Sequence, residues 1–359
     1  MFSKFKKDIK KKWQLINLSK FTLTYIIFAV IQAIALILLQ LKIIGRNVYL
    51  FVHDIMPYMG KKDSITEECS IENVFFPLTL IFAENLIFLF FHIFQVSFCF
   101  NAIFHQNMIQ LIIIVILEFG AGVFGILQLN DVKSSIGSIT SACSRLTVNT
   151  QFEANEIPHI LIIFIFAVLF AALLYPLYKK YDWSIYKRVS PTDLDLQKSY
   201  RTRLIFILCL RLMALFTFLY LILSLGAVLP LIKNSPNLSK VLFTLNLLIL
   251  LLMFMFEALA LYGVTEESKT AMTFFMIFWF FVFVDCLYLL LANGSMGKGQ
   301  TFWLWFTIIF FLLSLVTFVF AVMAFRNFGE GLKAAAKQLK YEYDATFQKM
   351  YATDLQRRV

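Results

Sequence analysis

Five ionisable side chains stand inside long apolar stretches of this sequence, where few polar groups surround them. Charged groups are rare within membrane-spanning segments, face the protein interior there, and often mark a path for protons or ions. A carboxyl group without a partner in lipid stays protonated, because burial disfavours its charged form. Two roles therefore fit these side chains: contacts between helices, or stations on a proton or cation path. The five are Glu84, Glu118, Arg211, Glu257 and Asp285. Further polar side chains in these stretches, suited to contacts between helices, are His92, Asn85, Gln95 and Asn246.

Side chains in such positions imply segments that cross a bilayer, and the composition of the chain indicates such segments. The chain has 359 residues, of which 60% are hydrophobic and 15% charged. A soluble domain has about 45–50% apolar and about 25% charged residues. Eight apolar runs are long enough to cross a hydrocarbon core of about 30 Å, and seven is the alternative count. The runs lie near 21–45, 75–100, 107–129, 158–180, 203–232, 240–264, 270–293 and 301–325.

The pattern within these runs predicts helices. Stretches such as "LIIIVIL" are continuously apolar and lack the alternation of polar and apolar residues that strands of a membrane barrel show. Because a backbone in lipid must satisfy its own hydrogen bonds, helices are the remaining solution. The sequence therefore predicts an all-α fold, a polytopic transmembrane helix bundle.

The distribution of lysine and arginine predicts which ends face the cytosol. Of the 32 basic residues, 22 fall in the two tails, the segment 178–203 and the turn near 264–270, whereas the four opposite connections hold 9. Cytoplasmic connections are enriched in these residues. We therefore expect both termini in the cytosol. The chain divides into a basic N-tail (1–20), a helix bundle (21–325) and a C-tail (326–359).

Both tails have the pattern of helices that lie on a membrane surface. In the N-tail, apolar residues recur every three or four positions among six lysines, and segment 332–350 of the C-tail repeats this spacing. Basic amphipathic helices bind anionic lipid surfaces. We therefore expect both tails to contact anionic lipids of the cytosolic leaflet. A disordered tail is the alternative for 1–20.

Two of the ionisable residues are expected to pair. Arg211 lies about 8 residues from the cytosolic end of the fifth run, and Glu257 about 7 residues from that of the sixth. At about 1.5 Å per residue, both lie roughly 10–12 Å deep. We therefore predict an Arg211–Glu257 ion pair. The carboxyls of Glu84, Glu118 and Asp285 then stay neutral, join other helices, or line a hydrated path.

Glycines in the third run predict a close helix contact. The stretch "FGAGVFG" places Ala121 and Gly125 four residues apart, and Gly120 and Gly122 remove further bulk. Small residues at this spacing let two helix backbones approach each other in a membrane. We therefore expect a neighbouring helix to pack against this stretch.

Two of the five cysteines fall in the longest connections on the side opposite the tails. Cys69 lies in the connection 46–74 and Cys143 in the connection 130–157. Because the secretory lumen is oxidising, a Cys69–Cys143 disulfide could tie these connections together. Two free thiols are the alternative, since the sequence fixes no distance between them.

Motifs of catalysis and cofactor binding are absent from the sequence. It contains no His-Glu-x-x-His zinc motif, no paired Cys-x-x-Cys and no Gly-x-Ser-x-Gly nucleophile motif. The longest stretches outside the membrane have about 30 residues, too few for a soluble catalytic domain. We therefore expect no enzymatic activity, no cofactor and no bound metal. Topology explains the formal net charge of +10, so no nucleic-acid partner is expected either.

Three segments of the second half carry a resemblance to a known family. They are the cytosolic loop "YDWSIYKRV", which contains Trp183, Tyr186, Lys187 and Arg188, the segment "LQKSYRTRLIFILCLRL" and the exit motif "RNFGEGLK". In these segments the chain resembles the uncharacterised fungal Golgi apparatus multi-pass membrane proteins. The resemblance implies residence in the Golgi membrane and implies no activity.

Two functions fit these observations. The first is non-enzymatic organisation or trafficking of Golgi membranes, in which the tails and the 178–203 loop bind lipid, coat proteins or trafficking proteins. The second is a proton- or cation-coupled carrier of a small solute that uses Glu118, Glu257, Asp285 and Arg211. No internal repeat of the kind common in transporters is visible in the sequence, which favours the first function.

Overall fold

The fold consists of long helices, and each overlaps one of the predicted apolar runs. The computed structural model describes residues 20–49, 52–53, 71–142, 153–188, 194–228, 237–293 and 301–329. All eight helices in these ranges are long and apolar enough to cross a membrane, which confirms the all-α polytopic architecture. They are α1 (Lys20–Tyr49), α2 (Ile71–Phe104), α3 (Met108–Ala142), α4 (Glu153–Arg188), α5 (Leu194–Val228), α6 (Asn237–Glu266), α7 (Lys269–Asn293) and α8 (Thr301–Arg326).

The helices form two groups of four. In the first bundle, α1 contacts α2 and α4, and α3 contacts the same two helices, which closes a ring. In the second bundle, α5 to α8 close an equivalent ring, and the two bundles meet where α2 contacts α5 and α3 contacts α8. Because eight crossings return the chain to the side from which it started, α1 begins and α8 ends on one side, which we call the basic side.

Two short turns on the basic side hold neighbouring helices antiparallel. Between α2 and α3, Gln106 adopts a φ of 49°, and the next residue, Asn107, accepts a hydrogen bond from the Gln110 backbone at 3.3 Å. Between α6 and α7, Glu267 adopts a φ of 56°, and Ser268 accepts a bond from the first turn of α7. In both turns, a side-chain oxygen satisfies a backbone donor at the helix start, as capping residues do.

Several helices extend well beyond the apolar runs that predicted them. The segment 178–203 was expected to be a loop, but α4 continues to Arg188 and α5 begins at Leu194. Trp183, Tyr186, Lys187 and Arg188 therefore lie in the last turns of α4. Hydropathy marks only the part of a helix that lies in lipid, whereas lysine and arginine are good helix formers that continue it into water.

Two glycines of α3, Gly122 and Gly125, lie against α4, as the close contact predicted from the "FGAGVFG" stretch requires. A methyl group built on Gly122 would lie 2.6 Å from the Phe164 ring, and one on Gly125 would lie 2.9 Å from Ile160. Neither residue could carry a side chain without a shift of α4 or of these partners. Gly120 points elsewhere, because a methyl group there would meet no atom within 4 Å.

The cores of the two bundles differ in chemistry. The second bundle is filled by aromatic rings: Tyr220 stacks on Phe310 with ring centres 5.0 Å apart, and Trp279 is fully buried and donates to the Ser314 carbonyl at 3.0 Å. The first bundle buries a set of polar side chains instead. The predicted surface helices of the tails and the Cys69–Cys143 pair lie outside the described residues.

Candidate functional site

A chain of five polar side chains crosses the interior of the first bundle, and we call it the polar column. Each of the four helices of this bundle contributes at least one member, and every member is at most 5% exposed. The apolar faces that close the ring exclude lipid and water from these groups. The members are His159 of α4, His92 and Gln95 of α2, Gln32 of α1 and Glu118 of α3.

Consecutive members of the polar column are joined by hydrogen bonds. Gln32 Nε2 donates to Glu118 Oε2 at 2.9 Å, and Gln95 Nε2 donates to Gln32 Oε1 at 2.9 Å. The carbonyl Oε1 of Gln95 lies 3.4 Å from His92 Nδ1, and the tautomer with its hydrogen on Nδ1 satisfies this contact. His92 Nε2 then faces His159 Nε2 at 3.3 Å as an acceptor.

These hydrogen bonds all point in one direction. Each donor lies on the His159 side of its acceptor, and the last acceptor is the Glu118 carboxyl. Aligned hydrogen bonds strengthen one another in a medium of low dielectric constant. The polar column therefore forms one aligned network that ends at the Glu118 carboxyl.

Four members of the polar column lie at about one depth. Gln32 and Glu118 are twelve and ten residues from the starts of α1 and α3 on the basic side, and His92 and Gln95 are twelve and nine residues before the end of α2 on that side. His159 lies six residues into α4, which starts on the side opposite the basic side. Tyr25, five residues into α1 on the basic side, is fully buried and lies near Glu118 and Cys99. Protonatable groups thus occur in both halves of the bundle.

A second polar contact in the same bundle contains only amides. Gln40 Nε2 and Gln128 Nε2 both donate to Asn85 Oδ1, at 2.6 Å and 3.2 Å. Asn85 in turn donates to the Ile81 carbonyl of its own helix at 2.7 Å. This amide cluster joins α1, α2 and α3 without an ionisable group.

Carboxyl groups gather at the end of the first bundle that is opposite the basic side. Glu156 of α4 forms an ion pair with Arg46 of α1 at 2.7 Å, with the two side chains 6% and 23% exposed. Glu84 of α2 is fully buried, and both of its carboxyl oxygens lack a hydrogen-bond partner in the described part of the chain. Glu156 and Asp131 are the charged groups that act on it. Glu84 therefore requires a proton or a water molecule at this position.

Asp131 also links the two bundles. Its Oδ2 accepts a hydrogen bond from the Phe302 backbone at 2.7 Å, in the first turn of α8. The first N–H groups of a helix have no partner within it, and a carboxylate is favourable near this end. Asp131 of α3 thus caps a helix that lies 171 residues further along the chain.

The predicted Arg211–Glu257 ion pair is wrong. Glu257 is 5% exposed and accepts a hydrogen bond from Thr217 at 3.3 Å, whereas Arg211 is exposed and has no acceptor among the described residues. Arg211 precedes Thr217 by six residues, which turns it away by about 120° and shifts it by roughly 9 Å along α5. Two residues at the same depth in the membrane can therefore lie on helix faces that do not meet.

The other predicted carboxyls occupy separate places. Asp285 of α7 accepts a hydrogen bond from Asn246 of α6 at 2.8 Å within the second bundle. Glu118 belongs to the polar column of the first bundle, and Glu84 to the opposite end of the same bundle. The five ionisable residues singled out from the sequence therefore do not form one site.

Sequence reasoning missed two of the five members of the polar column. His92, Gln95 and Glu118 are polar residues within predicted runs, but Gln32 received no role, and His159 was regarded as an isolated histidine. A partial signal existed, because Gln32 is a bulky polar residue in the middle of an apolar segment. His159 follows Pro158 at the edge of the fourth run, and Pro158 lies inside helix α4.

Two segments that carry the family resemblance meet on the basic side. Ser199 and Arg203 of α5 line a small cavity together with Asn327 and Phe328, which follow α8. Arg203 Nη2 donates to the Thr265 carbonyl at 3.5 Å. Residues separated by more than 120 positions in the sequence thus form one local structure.

Comparison of the chain with protein-family models, with curated proteins and with solved structures found no match. The resemblance to the Golgi membrane family therefore stays a prediction that rests on the motif residues. The structure itself supports a multi-pass membrane protein.

Proposed function

We propose that the first bundle carries protons across the membrane and couples their movement to a small solute. The observation that carries this proposal is the polar column, which joins a buried histidine pair to a buried carboxyl group through two amides. Chains of carboxyl and histidine side chains are the usual proton relays of membrane pumps and transporters. The second bundle, with its aromatic core, forms the rigid support.

Contacts that hold the helices together do not by themselves explain the residues of the polar column. The amide cluster around Asn85 already joins α1, α2 and α3 by hydrogen bonds. Amides perform this task without a group that must be kept neutral or paired. The histidine pair and Glu118 add protonatable groups in the same bundle, and one oxygen of Glu118 has no partner among the described residues. These features favour a role that uses protonation.

The two glutamines favour a carrier over an open proton wire. An amide donates through nitrogen and accepts through oxygen, but it has no basic site that takes up and releases a proton near neutral pH. Gln32 and Gln95 therefore separate the protonatable histidine pair from the protonatable Glu118. Passage of a proton between them requires water or a rearrangement of the helices, and such a step can be coupled to movement of a solute.

Proton uptake by reconstituted vesicles tests this proposal. The purified protein is placed in liposomes with an internal pH-sensitive dye, and a pH gradient is imposed. We expect Glu118→Gln to abolish uptake, because the glutamine oxygen still accepts the hydrogen bond from Gln32, but an amide does not take up and release a proton near neutral pH. Glu153→Gln is the matched control, because Glu153 pairs with Lys133 on an exposed surface at 2.7 Å. Equal uptake by the wild type and Glu118→Gln would refute the proposed path.

The location proposed for this activity is the Golgi membrane, and the support is the motif resemblance. Non-enzymatic organisation or trafficking of Golgi membranes is a second candidate function. It is favoured by the meeting of the Arg203 and Asn327 segments at the basic side, where a coat or trafficking protein could bind. A fluorescent fusion that localises elsewhere would remove the Golgi proposal. Unchanged localisation and binding after Arg203→Gln would remove the second function.

A further inference from the structure

Arg211 stands on the lipid-facing surface of α5. It lies eight residues further into the membrane than Arg203, a distance of roughly 12 Å, and its side chain is exposed. Within the described residues it has neither an ion pair nor a hydrogen bond. Arginine at such depth is costly and normally faces the bundle interior or pairs with an acid. Its position on the outer surface indicates that a partner is missing.

The exposed face of α5 that carries Arg211 lies in a groove between α2 and α6. Phe218 follows Arg211 by seven residues and therefore lies on the same face of the helix. The Phe218 ring contacts the Phe90 ring of α2, with ring centres 5.1 Å apart. The neighbouring residue, Thr217, donates to Glu257 of α6. Arg211 is thus flanked by a helix on each side and opens outward to lipid.

A second polar group lies across this groove. Because α2 and α5 run antiparallel, the residue seven positions after Phe90 stands opposite the residue seven positions before Phe218. These two residues are Ser97 and Arg211, and both are exposed. The groove therefore presents a guanidinium group and a hydroxyl group at one depth, with the Phe90 and Phe218 rings beside them.

We propose that this groove binds a transmembrane helix of another protein that carries a carboxyl group at the depth of Arg211. We call it the Arg211 groove and define it by Phe90, Ser97, Arg211 and Phe218. A carboxylate accepts a charge-assisted bond from the guanidinium group, and its second oxygen can accept a bond from the serine hydroxyl. Each partner thereby relieves the cost of an unpaired polar group in lipid.

A second copy of this chain does not fit the groove. Its carboxyls in the membrane interior would have to reach Arg211 from the outer surface. In the described spans, Glu84, Glu118 and Glu257 are at most 5% exposed, and Asp285 is hydrogen-bonded to Asn246. None of them faces outward at the required depth, so charge complementarity points to a different chain.

A synthetic peptide serves as the probe for this site. It is a leucine-rich transmembrane helix with lysines at both ends and one glutamate eight residues from one end, labelled with an acceptor for tryptophan fluorescence. The full-length protein is reconstituted with the peptide in phosphatidylcholine vesicles, and energy transfer measures association. The control peptide has glutamine in place of the glutamate.

The wild-type protein is expected to bind the glutamate peptide more tightly than the glutamine peptide. Arg211→Leu should weaken binding roughly 5- to 30-fold, the range of interhelical polar contacts in model peptides. Arg211→Lys should retain part of it, and Ser97→Ala should lose less than Arg211→Leu. Arg201→Leu is the matched control, because Arg201 is also exposed on α5 but lies near the basic side. Leucine in a lipid-facing position is compatible with folding, which the unfolding temperature verifies.

Three results would overturn the proposal. The first is no binding of the glutamate peptide by the wild type, or equal binding of both peptides. The second is unchanged binding by Arg211→Leu. The third is displacement of the peptide by phosphatidylserine, together with Arg211-dependent quenching by a spin-labelled form of that lipid. This last result would assign the groove to an anionic lipid instead of a helix.

Discussion

Alanine in place of Gly125 should weaken the contact between α3 and α4. The added methyl carbon would lie 2.9 Å from Ile160 Cγ1 and 3.6 Å from its Cδ1. Cγ1 is attached directly to Cβ, and Ile160 is only 9% exposed, so the side chain has little room to withdraw. The two helix backbones would therefore have to separate.

The expected magnitude is the difference of two opposing effects. Overpacking a well-filled contact costs about 1–3 kcal/mol, whereas alanine favours a helix over glycine by up to about 1 kcal/mol. For Gly125 the clash should win, with a net loss of about 1–2 kcal/mol. At Gly122 the clash is with the tip of Phe164, a partly exposed ring that can swing into lipid, so the loss should be smaller. At Gly120 no atom interferes, and alanine should stabilise the protein.

Thermal unfolding in detergent measures this order. Cys99, Cys209 and Cys286 are buried and free, so a thiol-reactive dye reports the temperature at which the bundle opens. The unfolding temperature should be highest for Gly120→Ala, lower for Gly122→Ala and lowest for Gly125→Ala. The wild type should unfold at a lower temperature than Gly120→Ala. If Gly125→Ala unfolds at or above the temperature of Gly120→Ala, the close approach of α3 and α4 at this point is refuted.

Two further pairs of substitutions test the polar contacts between helices. Arg46→Gln should lower the free energy of unfolding by more than about 1 kcal/mol, because it leaves Glu156 buried without its cation. Lys133→Gln should change this free energy by less than about 1 kcal/mol, because it breaks an ion pair whose side chains are 47% and 48% exposed. Equal effects in denaturant titration would contradict this ranking. Asp131→Ala should lower the free energy of unfolding by about 1–2 kcal/mol, because it removes the acceptor of the Phe302 amide. Asp131→Asn keeps an acceptor and should lower it less. Faster hydrogen exchange at the start of α8 in Asp131→Ala would verify the cause.

The helices could be predicted from the sequence because lipid imposes a simple requirement on it. Each span needs about 20 apolar residues, and runs of that length stand out. The ends were harder to predict, since α4 continues to Arg188 through charged residues that carry no hydropathy signal. The contact of Gly122 and Gly125 with α4 could also be predicted, because closely spaced small residues in a membrane helix let a neighbouring helix approach.

The polar column could not be predicted, because it depends on which faces of distant helices meet. Gln32 and Glu118 are 86 residues apart in the sequence, and His92 and His159 are 67 apart. Depth along a helix can be counted from the sequence, but rotation about its axis depends on packing. The Arg211–Glu257 prediction failed for this reason. A single sequence gives composition and depth, and the orientation of each helix comes only from the assembled bundle.

The capping of α8 by Asp131 has a consequence for biosynthesis. The carboxylate enters the membrane with α3, whereas its partner amide at Phe302 is translated 171 residues later. Until the final span is inserted, the nascent chain holds an acidic group that no helix terminus neutralises. Insertion of α8 would therefore complete the earlier half of the molecule as well as the later one. A chain that stops short of Thr301 should then be recognised as unfinished by the quality control of the membrane in which it is made.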